Sequence, residues 1–436
     1  MTILSLLSDL LGTVLTPAML ILAAFFLLPH VKARPFFRSL RESGSSPFRS
    51  LSVALAGTLG VGNITGVAAA LIAGGPGAVF WMWAGAFLVL GVKYAEVNLA
   101  VRYRIPTGNG WTGGAMYYIR DGIGGRWASV FGGFFALLCC LNSLITGNLV
   151  QSNAASGVFE GDSRLICGIV LAVLTGSAIL FGTHRIGRIT SALIPVLTGG
   201  YLAITLGIIF AHASLLPGIF RDIISSAFTG RAVLGASAGF TVHQALRFGI
   251  MRGIFSNEAG CGTSPTAHAA ADTKSPHHQA VLGMVEVIFD TLILCTLTAL
   301  VLLIGDAEWG LIPWGTDADA APVTLDIFRC LGGDTVYRIL RISVLLFAFS
   351  TVIAQFYYGT AAIRYLSGKR LPQVIYAALS AVCACAGSVI SSPVMWLLAD
   401  GIIGIMTVFN CGVLIILRRR IVPPECGSPH RNRSPH

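Results

Sequence analysis

Charged side chains are scarce in this chain. Only 11% of its 436 residues are Asp, Glu, Lys or Arg, against about 25% in soluble proteins. In turn 55% are hydrophobic, and the mean hydropathy is +0.78. That deficit excludes an ordinary soluble domain and predicts a polytopic protein of the lipid bilayer. Metal and disulfide patterns are missing too. The ten cysteines form no CxxC pair and no His/Cys ligand spacing. Most, such as Cys139, Cys140, Cys295 and Cys383, lie in apolar runs and read as small packing residues. No Walker A, GxSxG or HExxH motif occurs, so nothing favours an enzyme. His184, His243, His268, His277 and His278 fall mainly near the ends of apolar runs and read as solvated. No nucleic-acid footprint is present. The net charge of +10 is scattered between apolar runs, apart from a short cluster at Arg418-Arg419-Arg420. A secretory signal is not expected, because Lys32, Arg34, Arg38 and Arg41 follow the first apolar run instead of preceding it.

What is present is a series of apolar segments, each long enough to cross a membrane, which takes about 20 residues. Eleven are expected: 11–29, 48–73, 77–100, 127–158, 164–183, 189–212, 232–270, 278–304, 335–365, 371–390 and 394–417. With the N-terminus outside, this count places Arg102, Arg104, Arg120, Arg126, Arg185, Arg188, Lys274, Arg364, Lys369, Arg370 and Arg418 on one side. The acidic residues Glu160, Asp162, Asp306, Glu308, Asp317, Asp319 and Asp326 fall on the other side. Such a bias orients membrane proteins, so the C-terminus is expected in the cytoplasm. The 214–231 loop, with Arg221 and Arg231, is the mild exception and a candidate amphipathic surface helix. The tail 421–436 reads as disordered.

Two of these segments are interrupted. Gly57-Thr58-Leu59-Gly60-Val61-Gly62-Asn63-Ile64-Thr65-Gly66 places four glycines and several polar residues in a spanning helix. Repeated glycine lets a helix open, and opened backbone is tolerated at membrane depth only in protein or around a cavity. Close helix packing would also explain glycines; Thr58, Asn63 and Thr65 beside them favour a binding site. A second break lies at Gly260-Cys261-Gly262-Thr263-Ser264-Pro265, flanked by Asn257-Glu258. After an extra N-terminal helix in 1–30, the breaks fall in the first and sixth of ten remaining spans. This order predicts an all-α, five-plus-five inverted repeat, 48–212 and 232–418, with a site near the midplane. Glu258 is read either as a functional carboxylate or as a structural ion pair with Arg252, Arg247 or Arg104. Glu96 near Lys93, and Asp290, pose the same choice. Asn142, Gly147, Asn148, Gln151 and Asn153 form a polar run in which Asn148 and Gln151 share a helix face. Ser350 and Thr351 supply hydroxyls either to a cation or to their own helix carbonyls.

These stretches resemble the alanine/glycine:cation symporter family, the sodium:alanine symporters. The likeness is carried by Gly60-Val61-Gly62-Asn63-Ile64-Thr65-Gly66-Val67-Ala68, Gly74-Gly75-Pro76-Gly77, Tyr94-Ala95-Glu96 and Tyr103-Arg104. It continues through Gly113-Gly114-Ala115-Met116-Tyr117-Tyr118-Ile119, Gly147-Asn148-Leu149-Val150-Gln151 and Arg252-Gly253-Ile254-Phe255-Ser256-Asn257-Glu258-Ala259-Gly260. The resemblance implies a leucine-transporter type of fold that takes up alanine or glycine, with D-alanine a further candidate, together with Na⁺. It implies that the amides of Val61 and Gly62, near Thr65, receive the substrate carboxylate. Gln151 and the backbone around Cys261-Gly262-Thr263 would form the rest of the amino-acid pocket. Carbonyls of Ala56 and Leu59, with Ser350 and Thr351, would form one sodium site; Thr58, Asn63 and Asp290 would form a second. Gating roles are expected for Glu96, Arg104, Arg252, Asn257 and Glu258. Gln355 stands where the family carries an aromatic residue, Phe248 where it carries Gln, and Cys261 where it carries a larger residue. Exchanging an aromatic for Gln355 changes pocket shape and polarity.

The expected activity is therefore Na⁺-coupled import of a small neutral amino acid across the inner (plasma) membrane of a bacterium-like cell, by a protein functional as a monomer. Proton coupling through Glu258 or Glu96, and a sensor or channel on the same fold, are the alternatives.

Overall fold

In a computed structural model, the chain is described over residues 3–31, 60–108, 110–181, 183–229, 241–273 and 275–423. Residues 4, 178–181 and 183–193 are described by backbone alone. Among the described residues the chain is almost wholly helical. We number the helices α1 (Ser5–His30), α2 (Thr65–Gly74), α3 (Gly77–Arg102), α4 (Arg126–Ser156), α5 (Ser163–Phe181), α6 (Thr183–Ala211) and α7 (Leu216–Phe228). They continue as α8 (Val242–Asn257), α9 (Pro265–Ala270), α10 (Pro276–Trp309), α11 (Ala320–Leu366), α12 (Arg370–Gly387) and α13 (Ser392–Leu417). A short hairpin pairs Ile105–Thr107 with Gly110–Thr112.

Eight of the described helical segments are long and apolar enough to cross a membrane. They fall on eight of the expected spans. The other three expected spans are represented by shorter pieces: α2, α5 with its apolar stretch Ser163–Ser177, and the pair α8 and α9. In the described part of 48–73, α2 begins only after the 60–64 turn, and in 232–270 the helix stops at Asn257 and resumes at Pro265. The parts of those spans over 48–59 and 232–240, and the tail beyond residue 423, lie outside the described residues.

Large apolar side chains such as Phe25, Val196, Phe210 and Leu371 point outward. On a chain of this composition such a surface suits lipid. The expected surface helix is present as α7, which buries Ile219, Ile223 and Ala227, four residues apart on one face. It packs on the start of α3: Trp81 Nε1 donates to Ala227 O at 3.1 Å, and a Cβ at Gly77 would lie 2.6 Å from the Ser226 backbone. The break between the two limbs of α11 sits at Gly333, whose φ of 74° only glycine adopts easily. Among the π-type segments are Ser143–Leu149 in α4 and Ile288–Cys295 in α10. Each leaves carbonyls displaced from the regular ladder, a feature frequent at functional sites.

Candidate functional site

The first break is described from Gly60 onward. A 3-10 turn over Val61–Asn63 leads into α2. Its first backbone bond runs from the Asn63 N–H to Gly60 O, at 3.3 Å, so the Val61 and Gly62 N–H groups precede the hydrogen-bonded turn. Asn63 Oδ1 accepts from the Gly60 N–H at 3.2 Å, and Thr65 Oγ1 donates to Val61 O at 3.0 Å. Small residues are required here by close neighbours. A Cβ on Gly62 would sit 3.2 Å from the Phe255 ring and the Ser256 Cα, and one on Gly60 would run into the Thr351 hydroxyl.

The second break begins where α8 ends. Glu258 takes the left-handed conformation, with φ 52°, and is the one non-glycine residue with positive φ among those described. Gly260 and Gly262, with φ of 92° and 75°, carry the chain to Pro265 and α9. Strained backbone of this kind persists where its surroundings over-determine it. Here Thr263 Oγ1 donates to Glu258 Oε2 at 3.0 Å, Gln355 Nε2 donates to Glu258 Oε1, and the Ala259 N–H donates to Asn257 Oδ1 at 2.9 Å.

A cavity of about 20 Å³ lies between the two breaks. That is room for about one water, so an amino acid enters only when the walls part. Gly60 and Gly62 line it from the first break, and Glu258, Cys261 and Thr263 from the second. Asn142, Thr146 and Gln151 of α4 and Thr351 and Gln355 of α11 complete the polar wall. Asn142 Oδ1, Gln151 Oε1 and Gln355 Oε1 are buried and accept no hydrogen bond from the described residues. An unmet buried acceptor costs about 1–3 kcal/mol. Three such oxygens on one small cavity therefore favour a ligand bearing N–H donors, and an ammonium group carries three.

The expected site residues divide into groups. Gly62, Gln151, Cys261, Thr263, Thr351, Gln355 and Glu258 meet on this cavity. Val61 and Gly262 lie beside it in the chain without lining it, and a Cβ on Gly262 would lie 2.7 Å from the Phe135 ring. Thr65 faces a separate small cavity with Val150 and Asn153. Ser350 is buried in α11, and Thr351 Oγ1 donates to Phe347 O at 3.0 Å, as a membrane threonine commonly does. Asn63 turns its amide nitrogen to Asp290 Oδ1, at 2.6 Å, and Asp290 Oδ2 accepts from Thr291 at 2.9 Å. Ala56, Thr58 and Leu59 lie outside the described residues. Asn148 and Gln151 both donate to carbonyls five residues back, Ser143 O and Thr146 O.

The ion pairs differ from those considered from sequence. Arg252 forms a buried two-bond pair with Asp400, its guanidinium carbon 3.9 Å above the Trp396 ring. Arg247 pairs with Asp9, and Arg104 donates to the carbonyls of Ala269, Ala271 and Thr273. Glu258 therefore pairs with none of these three arginines. Glu96 accepts from the Gly260 N–H at 3.1 Å and from Asn410 Nδ2 at 2.6 Å, whereas Lys93 pairs with Glu286 at 3.4 Å. Asn257 Nδ2 donates to Thr291 Oγ1 at 3.0 Å. His268 and His277 are buried, not solvated: His268 Nε2 lies 2.9 Å from Glu286 Oε2, and His277 Nδ1 lies 2.7 Å from the Tyr94 hydroxyl. Sequence reasoning missed Glu286 and Asp400, although the rule that picked out Glu258, an ionisable residue inside a span, applies to both. It also passed over Ile403, which lines the cavity and carries no local signal.

A larger cavity of about 210 Å³ lies beyond, lined by Arg247, Phe248, Arg252, Trp396, Asp400 and Asp317 among others. Phe248 thus faces this space and not the central one. Between the two cavities Phe255 meets Trp396 edge to face, with ring centroids 4.9 Å apart.

Comparisons with known proteins agree with this picture. Residues 6–424 match the model of the sodium:alanine symporter family. The sodium/alanine symporter AgcS of Methanococcus maripaludis is 37% identical over 389 residues, 87% of this chain and 83% of that one. The probable sodium/glutamine symporter GlnT of Bacillus subtilis is 34% identical over 384 residues, 87% of this chain and 78% of its own. Among solved structures, a Na⁺-coupled sialic acid symporter in a substrate-bound, outward-open state superposes with a TM-score of 0.56 at 14% identity. That match covers 94% of this chain and 86% of that one. With relatives of this identity aligned over nearly its whole length, the chain is a multi-pass membrane transporter, not an enzyme, and belongs to the sodium:alanine symporter family.

Proposed function

We propose that the protein imports a small neutral amino acid, alanine or glycine, together with Na⁺ by alternating access across the inner membrane. The observation that carries this reading is the polarity of the central cavity. One side offers the leading N–H groups of a half-helix, which suit a carboxylate. The other offers three unmet acceptor oxygens and the Glu258 carboxylate, which suit an ammonium. A zwitterion matches both ends, and alanine or glycine asks the least parting of the walls. The Thr351 hydroxyl, pressed against Gly60, supplies an oxygen to a monovalent cation at the first break, beside Ser350. We further read the spans as eleven in number, an extra helix followed by two five-helix repeats of opposite orientation. The N-terminus is outside and the C-terminus cytoplasmic.

Uptake of labelled alanine and glycine into proteoliposomes, with and without an inward Na⁺ gradient, tests the reading. Concentrative uptake is expected only with the gradient. Ser350→Ala combined with Thr351→Val should raise the Na⁺ concentration for half-maximal uptake several-fold. Uptake that follows a pH gradient and ignores Na⁺ in both proteins would assign the coupling to a proton, with Glu258 as the buried carboxylate on the cavity wall.

A further inference from the structure

A fixed ammonium group sits at the second break, where an opened half-helix would otherwise draw a cation. Lys93 of α3 is fully buried. Its Nζ donates to Asn257 O at 3.1 Å and to Ser264 Oγ at 2.7 Å, and lies 3.4 Å from Glu286 Oε2. Asn257 is the last residue of α8, so its carbonyl belongs to the negative end of that half-helix. Ser264 is the residue before α9. The ammonium therefore bridges the two ends of the unwound segment. Between its anchors, Glu258, Cys261 and Thr263 are delivered to the central cavity, which Lys93 itself does not line.

The surrounding groups account for the remaining charge. Glu286 Oε2 also meets His268 Nε2, and Gln279 Nε2 donates to His268 Nδ1 at 2.9 Å. Glu286 is thus shared between the Lys93 ammonium and the His268 ring. Glu96 and Glu258 act on the same ammonium at longer range. Neutralising Glu286 alone would need no contact with the break, yet two of the three short contacts go to it.

We propose that Lys93 is a positioning residue of the transport site. Its ammonium takes the place at the second break that a bound cation would take, and by joining Asn257 to Ser264 it sets the cavity-lining segment between them. The proposal rests on the transport reading only for its uptake readout.

The test uses the full-length protein in proteoliposomes, with two measurements on Lys93→Met, Lys93→Met/Glu286→Gln and Ser264→Ala. The first is the KM for alanine. The second, independent of substrate, is the rate at which a small maleimide alkylates Cys261 in a background with the other cysteines replaced. Loss of one charge-assisted hydrogen bond should change each by roughly tenfold. Lys93→Met is expected to raise both KM and the alkylation rate, and the double variant to leave them raised, since Asn257 and Ser264 still lack their cation. Restoration of both values in the double variant would overturn the proposal, because Lys93 would then only balance Glu286. If Lys93→Met fails to fold, Ser264→Ala decides, because it keeps the charge pair. Faster alkylation there supports the bridging role, and unchanged alkylation overturns it. If the wild-type protein carries no alanine while Cys261 still reacts faster in the variants, the transport reading fails and the positioning role stands.

Discussion

Gln355 is the residue whose replacement tests selectivity most directly. It lines the central cavity, donates to Glu258 and leaves its own Oε1 unmet. It also fills the notch beside Gly147, where a Cβ would overlap the Gln355 side chain. A site built to hydrogen-bond discriminates strongly against ligands that leave its polar groups unpaired. Gln355→Trp removes the acceptor and adds volume against Gly147. The expected result is a changed ratio of alanine to glycine uptake, read by competition in proteoliposomes, with the larger substrate losing more. An unchanged ratio would show that the residue is irrelevant to selection. Gly62 makes a second case at this scale. Its missing side chain accommodates Phe255 and Ser256 across the helix contact as well as any carboxylate. Gly62→Leu should therefore abolish substrate binding and also lower the melting temperature in detergent. Loss of binding at an unchanged melting temperature would show that the tight contact relaxes without cost.

Among elements, the two broken helices are held by different means. The first is pinned by the amide of Asn63, which reaches Ser256 and Asp290 on α8 and α10. The second is pinned by charge, through Lys93 on α3. Farther out, α8 and α13 are joined by the Arg252–Asp400 pair under Trp396. Removing one partner of a buried pair leaves an uncompensated charge and costs about 3–5 kcal/mol, whereas replacing both costs far less. Arg252→Met and Asp400→Leu should each lower the melting temperature sharply, and the double variant should recover most of it. A further cavity lies beyond this pair, so the double variant should also leak substrate faster than the wild type. Equal stability of singles and double would show that the pair contributes no net coupling.

For the whole molecule, the testable quantity is orientation. With eleven spans and the N-terminus outside, the basic loops and the C-terminus fall on the cytoplasmic side, as the positive-inside bias requires. A reporter fused after Arg420 is expected to read as cytoplasmic; a periplasmic signal would overturn the eleven-span topology. The eight long apolar helices and the positions of the breaks are legible in the sequence. Span order follows from hydropathy, and the breaks follow from clustered glycine beside Asn63 and Glu258, because both signals are local. The kink at Gly333 also falls between expected segments, just before the span beginning at 335.

What the sequence by itself determined is thus the membrane class, the order of the spans, the two interruptions and, through resemblance, the family. Partners were decided only by tertiary structure. Arg252 meets Asp400 across 148 residues and Glu96 meets Asn410 across 314, and no local rule selects those partners over Arg104 or Lys93. The physical reason is that a buried charge accepts any partner of suitable geometry. Which one lies within hydrogen-bond reach depends on how helices far apart in the chain come to pack. The same holds for the central cavity. Its polar residues were visible one by one, but that three unmet oxygens and two helix breaks converge on one small volume is a property of the packed bundle alone.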